Sequence, residues 1–371
     1  PTPNDNWDLY LVDVFDNMLK LASAPGYALF EPVPFRKTLR PPVIPDKVDL
    51  ARKDAVMYIA DIYSGPGLAG VPRGSVKNLR VYSYHYAYAG MGGHINIGID
   101  GPWDARRIVG TVPVQPDGSA MFRVPANTPM GLQPLDKDGK AMQLMRSWTT
   151  AMPGEFLSCV GCHERQSDVA GVAYGSAANK VEEIQPWRGE ARGFGFTREV
   201  QPVLNKYCVS CHNGTKQVAG RPIPDFRIDG TARFENFTPS YVALHPYVRR
   251  PGPESDVHVL GPMEFHADTS ELVQMLRKGH GGVSLDAEAW DRLITWIDLN
   301  VPDKGTWGEQ RNISGQNHER RQTMAKAYAA LTYDPEAIVP TVLGDMTPVK
   351  PAPPARKPQA AVTAPGWPLD A

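Results

Sequence analysis

Two short stretches constrain this chain more than any others: Cys159-Val160-Gly161-Cys162-His163 and Cys208-Val209-Ser210-Cys211-His212. Both are C-x-x-C-H, the attachment pattern for c-type haem. Two thiols three positions apart can each add to one vinyl group of the same porphyrin, and the adjacent histidine then lies under the iron. The chain has four cysteines, and the two motifs use all of them. Two C-x-x-C pairs could instead bind one structural zinc, but the pairs are far apart in sequence, and zinc has no need of a histidine at the same next position in both. A thioredoxin-like redox pair would not occur twice with His following. The reading is therefore two covalently bound haem c groups, held by Cys159, Cys162 and His163 and by Cys208, Cys211 and His212.

The order of elements follows from patterning. Residues 7–14 alternate as a strand and Asp16-Asn17 reads as a turn. Residues 31–46 hold five prolines, a stiff extended linker. From residue 55 the chain reads as β-rich. Val56–Ile62 is a buried-type strand, Leu79–Tyr88 is rich in Tyr, and Ile95, Ile97 and Ile99 alternate. Ile108–Val114, the turn at Pro116-Asp117-Gly118, and Ala120–Val124 give a hairpin signal. A turn at Asp136–Gly139 precedes Ala141–Trp148. Regular short strands with turns suggest a β-sandwich leading into the first motif.

Residues 166–195 read as a loop. Val200, Val203, Leu204 and Tyr207 then have helical spacing and deliver the second motif, as in cytochrome c domains. Asp268 with Glu271 resembles a capping box opening a helix with Leu272, Met275 and Leu276 on one face. Trp290, Leu293, Ile294 and Ile297 mark a closing helix, and Arg320–Leu331 a further one. After Pro335 the Pro/Ala/Val-rich composition is that of a tail or linker.

The fold class expected is α+β: a β-sandwich-like domain over 55–190 carrying one haem, then a mainly helical cytochrome c domain over 191–335 carrying the other. Pro-rich segments, 31–54 and 336–371, flank them. Net charge is −1 with no basic stripe, which argues against a nucleic-acid partner. No apolar run approaches the roughly 20 residues needed to span a bilayer. Haem is attached to this motif outside the bacterial cytoplasmic membrane. A periplasmic or otherwise exported protein is expected, whose natural precursor carries an export signal.

Each iron needs a second axial ligand or an open site. For the second haem the candidate is His280, in the loop Lys278-Gly279-His280-Gly281-Gly282, with His266 next and His245 and His258 behind. For the first, His85 and His94 or Met142, Met145 and Met152 could approach. The simpler role of these residues is packing, which leaves a five-coordinate first haem open to a small molecule.

Several stretches together resemble a known family. Ser147-Trp148-Thr149-Thr150-Ala151-Met152-Pro153-Gly154-Glu155 running into Ser158–Glu164 is similar to the middle domain of hydrazine synthase alpha subunits and their relatives. So are Gly110–Val114, Asp117-Gly118-Ser119 and Val124–Pro129. Gln201-Pro202-Val203-Leu204 resembles the cytochrome c domain of the same proteins. The resemblance implies an upstream β-propeller, with residues 1–30 as its remnant, and in some relatives a formylglycine-generating-enzyme-like domain downstream. It implies two histidines on the second iron, which favours His280 or His266 over Met263 and Met275. It also implies other subunits or a redox partner protein. In hydrazine synthase alpha subunits a tyrosine four residues after the first motif histidine ligates iron and frees that histidine for zinc. Here that position is Ser167, and the nearest downstream tyrosine is Tyr174.

The functional expectation is a dihaem c-type cytochrome that transfers electrons, with redox catalysis on a small nitrogen or oxygen species at the first haem. The rivals are a non-catalytic relay or binding module of a larger protein, and a dihaem peroxidase, against which the β-rich region before the first motif speaks.

Overall fold

The computed structural model describes residues 7–350, except 44, 92–96, 100–103, 166, 170, 172–173, 231–235 and 253–258. The expectations on His94, Ile95, His258 and the tail beyond 350 lie outside the described residues. The chain forms two units, Pro1–Asp46 and Lys47–Ala371.

In the first unit, β1 (Leu9–Val12) pairs antiparallel with β2 (Met18–Ala22). Asp13 makes the turn. Its Oδ1 accepts from the backbone N–H groups of Phe15 and Asn17, and Asp16 takes the left-handed conformation that Asp tolerates. Residues 31–43 run without regular structure and are exposed.

The second unit contains the expected sandwich. One sheet has the order β6-β3-β8, from β3 (Asp54–Ile59), β6 (Ala120–Pro125) and β8 (Phe156–Cys159). The other has the order β7-β4-β5-β9, from β4 (Asn78–His85), β5 (Ala105–Pro113), β7 (Met130–Leu135) and β9 (Arg192–Gly193). Alternation explains β6: Ala120, Phe122 and Val124 are buried, and the residues between them are half-buried. These side chains meet Met57 and Ile59 of β3 and Leu79 and Val81 of β4 in one apolar core.

The turn at Pro116-Asp117-Gly118 exists, but β5 and β6 do not pair with each other. β5 pairs with β4, and β6 pairs with β3. The turn therefore carries the chain from one sheet to the other, and the expected local hairpin is replaced by two non-local pairings. Ile97 and Ile99 form no strand. Ile97 is fully buried, and its carbonyl accepts from the backbone N–H groups of Asp303 and Lys304.

β4 is covered on both faces. Leu79 and Val81 face the sandwich core. Tyr82 and Tyr84 join a second core with Phe194, Phe196, Tyr241 and Trp296. That second core belongs to the helical half: α1 (Phe196–Glu199), α2 (Gln201–Tyr207), α3 (Pro239–Leu244), α4 (Glu271–Arg277) and α5 (Ala287–Asp298). Asp286 caps α5, accepting from Ala289 N–H at 2.8 Å. The residue at the start of α4 is Ser270 rather than Asp268, and no side chain caps that helix. Asp268 instead pairs with Lys140 and Arg277, which outcompete the backbone for its carboxylate.

Two further helices close the chain, α6 (Trp307–Gln310) and α7 (Gly315–Ala329). The helix expected over Arg320–Leu331 is present as α7, with Met324 and Tyr328 exposed and none of its residues buried. Residues 341–349 are not a free linker. Val342 and Asp345 offer carbonyls to Arg292 and Lys206, and Val349 N–H donates to the Lys206 carbonyl.

Candidate functional site

The second motif grows out of α2. Pro202 starts that helix where a missing N–H costs nothing. The helical pattern then continues one turn: Cys208 N–H donates to Leu204 and His212 N–H to Cys208. This places Cys208, Cys211 and His212 on one cavity of about 200 Å³. Its other walls are almost wholly apolar, from Leu204, Phe226, Leu244, Leu272, Leu276 and Leu293.

Two contacts fix the His212 ring. It stacks on Phe226 with centroids 4.4 Å apart, and its Nδ1 lies 2.9 Å from the Pro224 carbonyl. A carbonyl only accepts, so Nδ1 carries the hydrogen and Nε2 keeps the free lone pair. Burial lowers the pKa of His212, which further favours the neutral ring. A neutral imidazole with its other nitrogen tied to a carbonyl is the usual state of a metal-ligating histidine.

His280 reaches the same cavity. Lys278 ends α4, and Gly279, at φ 90°, turns the chain as a left-handed helix terminator. The following turn sets the His280 ring 5.9 Å from that of His212. Two imidazoles bound to one metal, each through a bond of about 2 Å, need a separation of this order. The thiols, the oriented His212, the facing His280 and the apolar walls therefore suit an iron porphyrin. Burial pushes the Cys208 thiol up to about 12, so it rests protonated. Met275 also lines the cavity.

The first motif is built on a strand rather than a helix. Cys159 ends β8, which runs parallel to β3, with Cys159 opposite Ile59. The chain then folds against Ser64-Gly65-Pro66-Gly67. Cys162 N–H donates to the Ser64 carbonyl at 2.9 Å, and Gly67 N–H donates to the Cys162 carbonyl at 3.1 Å. A Cβ on Gly67 would stand 2.5 Å from Cys162 Sγ, so only glycine lets this cradle close. His163 takes a left-handed conformation, φ 60°, and is exposed.

Cys159, Cys162 and His163 line a cavity of about 580 Å³. Burial raises both thiols to about 11. Unlike the second cavity, this one has polar walls, with Arg146, Ser147, Gln143 and Glu164 beside Leu132, Met145 and Leu260. Gln143 ties the walls together: Nε2 donates to the carbonyls of Gly67 and Leu260, each at 2.8 Å, and Oε1 accepts from Leu144 N–H. The thiol pair, the histidine and the room fit a second porphyrin.

Other candidates lie elsewhere. His266 is buried with both ring nitrogens engaged, Nε2 at 3.0 Å from Asp136 and Nδ1 accepting from Asp268 N–H, and it does not line the second cavity. His245 hydrogen-bonds the Ile99 carbonyl. Met263, also in a left-handed conformation, lies outside both cavities. His85 pairs with Glu336 in a separate groove. Met142 is core and Met152 exposed, while Met145 lines the first cavity, its sulfur accepting from Leu132 N–H. Ser167 is exposed, and Tyr174 packs edge-on against Tyr58. Among the described residues, no group of three or more His, Cys, Asp or Glu side chains could hold a metal ion by themselves. Nor is any helix there long and apolar enough to cross a membrane.

The six motif residues and His280, expected from the sequence, line the two cavities. Sequence reasoning missed the Gly65-Pro66-Gly67 cradle, whose composition signals only a turn, and the Gln143 tie, which has no sequence signature.

Two of three comparisons with known proteins find matches. No curated protein matches the sequence. Among solved structures, a chain of Kuenenia stuttgartiensis hydrazine synthase superposes with a TM-score of 0.45 at 17% identity, covering 70% of this chain and 45% of that one. This chain thus spans less than half the length of that relative. Residues 74–164 match the family described as hydrazine synthase alpha subunit middle domain. Over those residues, which run from before β4 to just past the first motif, the chain resembles the hydrazine synthase alpha subunit.

Proposed function

We propose that this chain is a dihaem c-type cytochrome module of an exported compartment, in which the second site relays electrons and the first binds a small redox-active molecule. The observation that carries this reading is the facing pair His212 and His280 on one apolar cavity beside both thiols of the second motif. A bound haem supplies one-electron chemistry.

The chain's own residues divide the labour. Pro224 holds His212 in the tautomer that presents Nε2, and a haem bound here would be held by His212 and His280 together. The apolar walls exclude water, a setting that suits electron relay. At the first site His163 is, among the described residues, the one histidine that lines the cavity. Arg146 and Glu164 supply charge and Ser147 a hydroxyl, groups that can orient a small polar molecule. Other subunits or a redox partner protein are expected to exchange electrons with it. Hydrazine chemistry in particular is supported only by the resemblance over residues 74–164.

The test is spectroscopic. The holoprotein should carry two haems by mass, and carbon monoxide should perturb one and leave the other unchanged. His280→Ala should open the second to carbon monoxide as well. A protein lacking a Soret band overturns the reading. A first haem that ignores carbon monoxide and nitric oxide overturns the catalytic half and leaves a relay.

A further inference from the structure

α7 buries nothing, yet His318, Arg321 and the Ala329 carbonyl pin it to the rest of the protein. Arg321 donates to the carbonyls of Tyr86 and Ala87, and its guanidinium lies 3.6 Å from the centre of the Tyr88 ring. Between α7 and the end of β4 is a groove of about 850 Å³. That is within the roughly 300–1,000 Å³ range of small-molecule sites. It shares no lining residue with either motif cavity.

The groove has an aromatic wall. Tyr84, Tyr86, Tyr88 and Tyr333 line it, and Trp148 stands edge-on to Tyr84 and Tyr86, with ring centres 6.1 and 5.1 Å away. Its charge is one-sided. The carboxylates at its edge are taken up by histidines: Glu336 by His85 at 2.5 Å, and Asp334 by His318, which also meets the Tyr88 hydroxyl. The cations are not neutralised in this way. Arg321 meets carbonyls, and Arg320 and Lys326 are exposed and form no ion pair among the described residues. Asp104 acts electrostatically on Arg321, so the uncompensated charge of the groove is that of Arg320 and Lys326. Among the described residues the buried Tyr86 hydroxyl has no hydrogen-bond partner, and burial raises it to about 12, which keeps it a donor. An unpaired buried hydroxyl is costly unless something else satisfies it.

We propose that this groove binds a planar aromatic anion, its ring against Tyr86 and Tyr333, the less buried of the lining tyrosines, its anionic group toward Arg320 and Lys326, and the Tyr86 hydroxyl donating to it. Flat rings stack on the tyrosines without loss of rotamer freedom, and the uncompensated cations select charge. The site is independent of whether either motif carries haem.

The probe is 2-naphthoate, titrated calorimetrically into the full chain, with Trp148 emission as a local reporter. One saturable site is expected, with quenching that Trp148→Phe removes. The double variant R320E/K326E should weaken binding about tenfold or more, and methyl 2-naphthoate, the same ring without charge, should bind weaker by a similar factor. Tyr86→Phe should weaken binding several-fold while the melting temperature of the free protein holds or rises. Absence of saturable binding overturns the proposal, as does an ester that binds as tightly as the acid. Unchanged affinity in R320E/K326E overturns it too.

Discussion

Arg80 on β4 and Asp298 at the end of α5 are 218 positions apart in sequence, yet Nη1 and Oδ2 stand 2.9 Å apart, both side chains almost wholly buried. The pair ties the sandwich to the helical half. Gln133 and Thr295 share the guanidinium, and Ala141 N–H donates to the carboxylate. Burial raises the pKa of Asp298, while the guanidinium and the Ala141 N–H pull it back. Removing one partner strands a buried charge, which costs about 3–5 kcal/mol. Asp298→Ala should therefore lower the urea midpoint strongly, whereas R80M/D298L should recover most of the loss. Equal loss in single and double variants would show that packing, not charge, dominates there.

Gly67 predicts a steric effect. A Cβ there would meet Cys162 Sγ at 2.5 Å and the Cys162 carbonyl oxygen at 2.9 Å. Forcing extra volume into such a contact costs about 1–3 kcal/mol. Gly67→Ala should destabilise by that amount and lower haem loading at the first motif, with the second untouched, as read by the mass of the separated peptides. Gly171, with nothing within 4 Å, is the control. Its alanine variant should change stability by less than about 0.5 kcal/mol.

Residues 341–349 predict a tether. Thr341 donates to Glu199, a fully buried carboxylate that also holds Arg192 and Arg292. Val342 accepts from Arg292, and Gly344 N–H donates to Glu288. A chain cut after residue 340 leaves Arg292 and Glu199 short of partners, at about 1–3 kcal/mol for each buried group left unsatisfied. Its melting temperature should fall by several degrees. An unchanged melting curve would return this segment to the status of a solvated tail.

These results show what the sequence disclosed and why the rest stayed hidden. β6 was legible because burial on one face writes a two-residue alternation. His280 was legible because Gly279 and Gly281 mark a turn directly after a helical stripe. The partners of β5 and β6 were not, because a turn signal is local and strand pairing is not. Nor was the first cradle: Gly65-Pro66-Gly67 reads as an ordinary turn until Cys162 is seen against it. α7 was legible as a helix, but spacing alone could not report that Met324 and Tyr328 stay exposed. Polar ties such as Gln143 depend on three backbone segments converging, which periodicity cannot report.

Asp286 yields a pH dependence with a definite sign. Burial opposes its charge, but the Lys206 ammonium at 2.8 Å, the Ala289 N–H and Tyr207 overcome this and hold the carboxyl at about 2. The unfolded value is 3.8. A carboxylate with a depressed folded pKa stabilises fully above its unfolded value, and that contribution disappears as pH falls through the folded one. The window is therefore between about pH 4 and 2. Because the side chain is 45% exposed, solvent screens the pair, and its worth at neutral pH is at most about 1 kcal/mol. Asp286→Asn keeps the cap on α5, since asparagine accepts from Ala289 N–H equally well, and removes only the charge. Denaturation followed from pH 6 to 2 should show the two proteins converging as acid is added, with the wild type losing the larger increment. Parallel curves across that range would mean that Lys206 contributes nothing through Asp286 and serves only to hold Asp345.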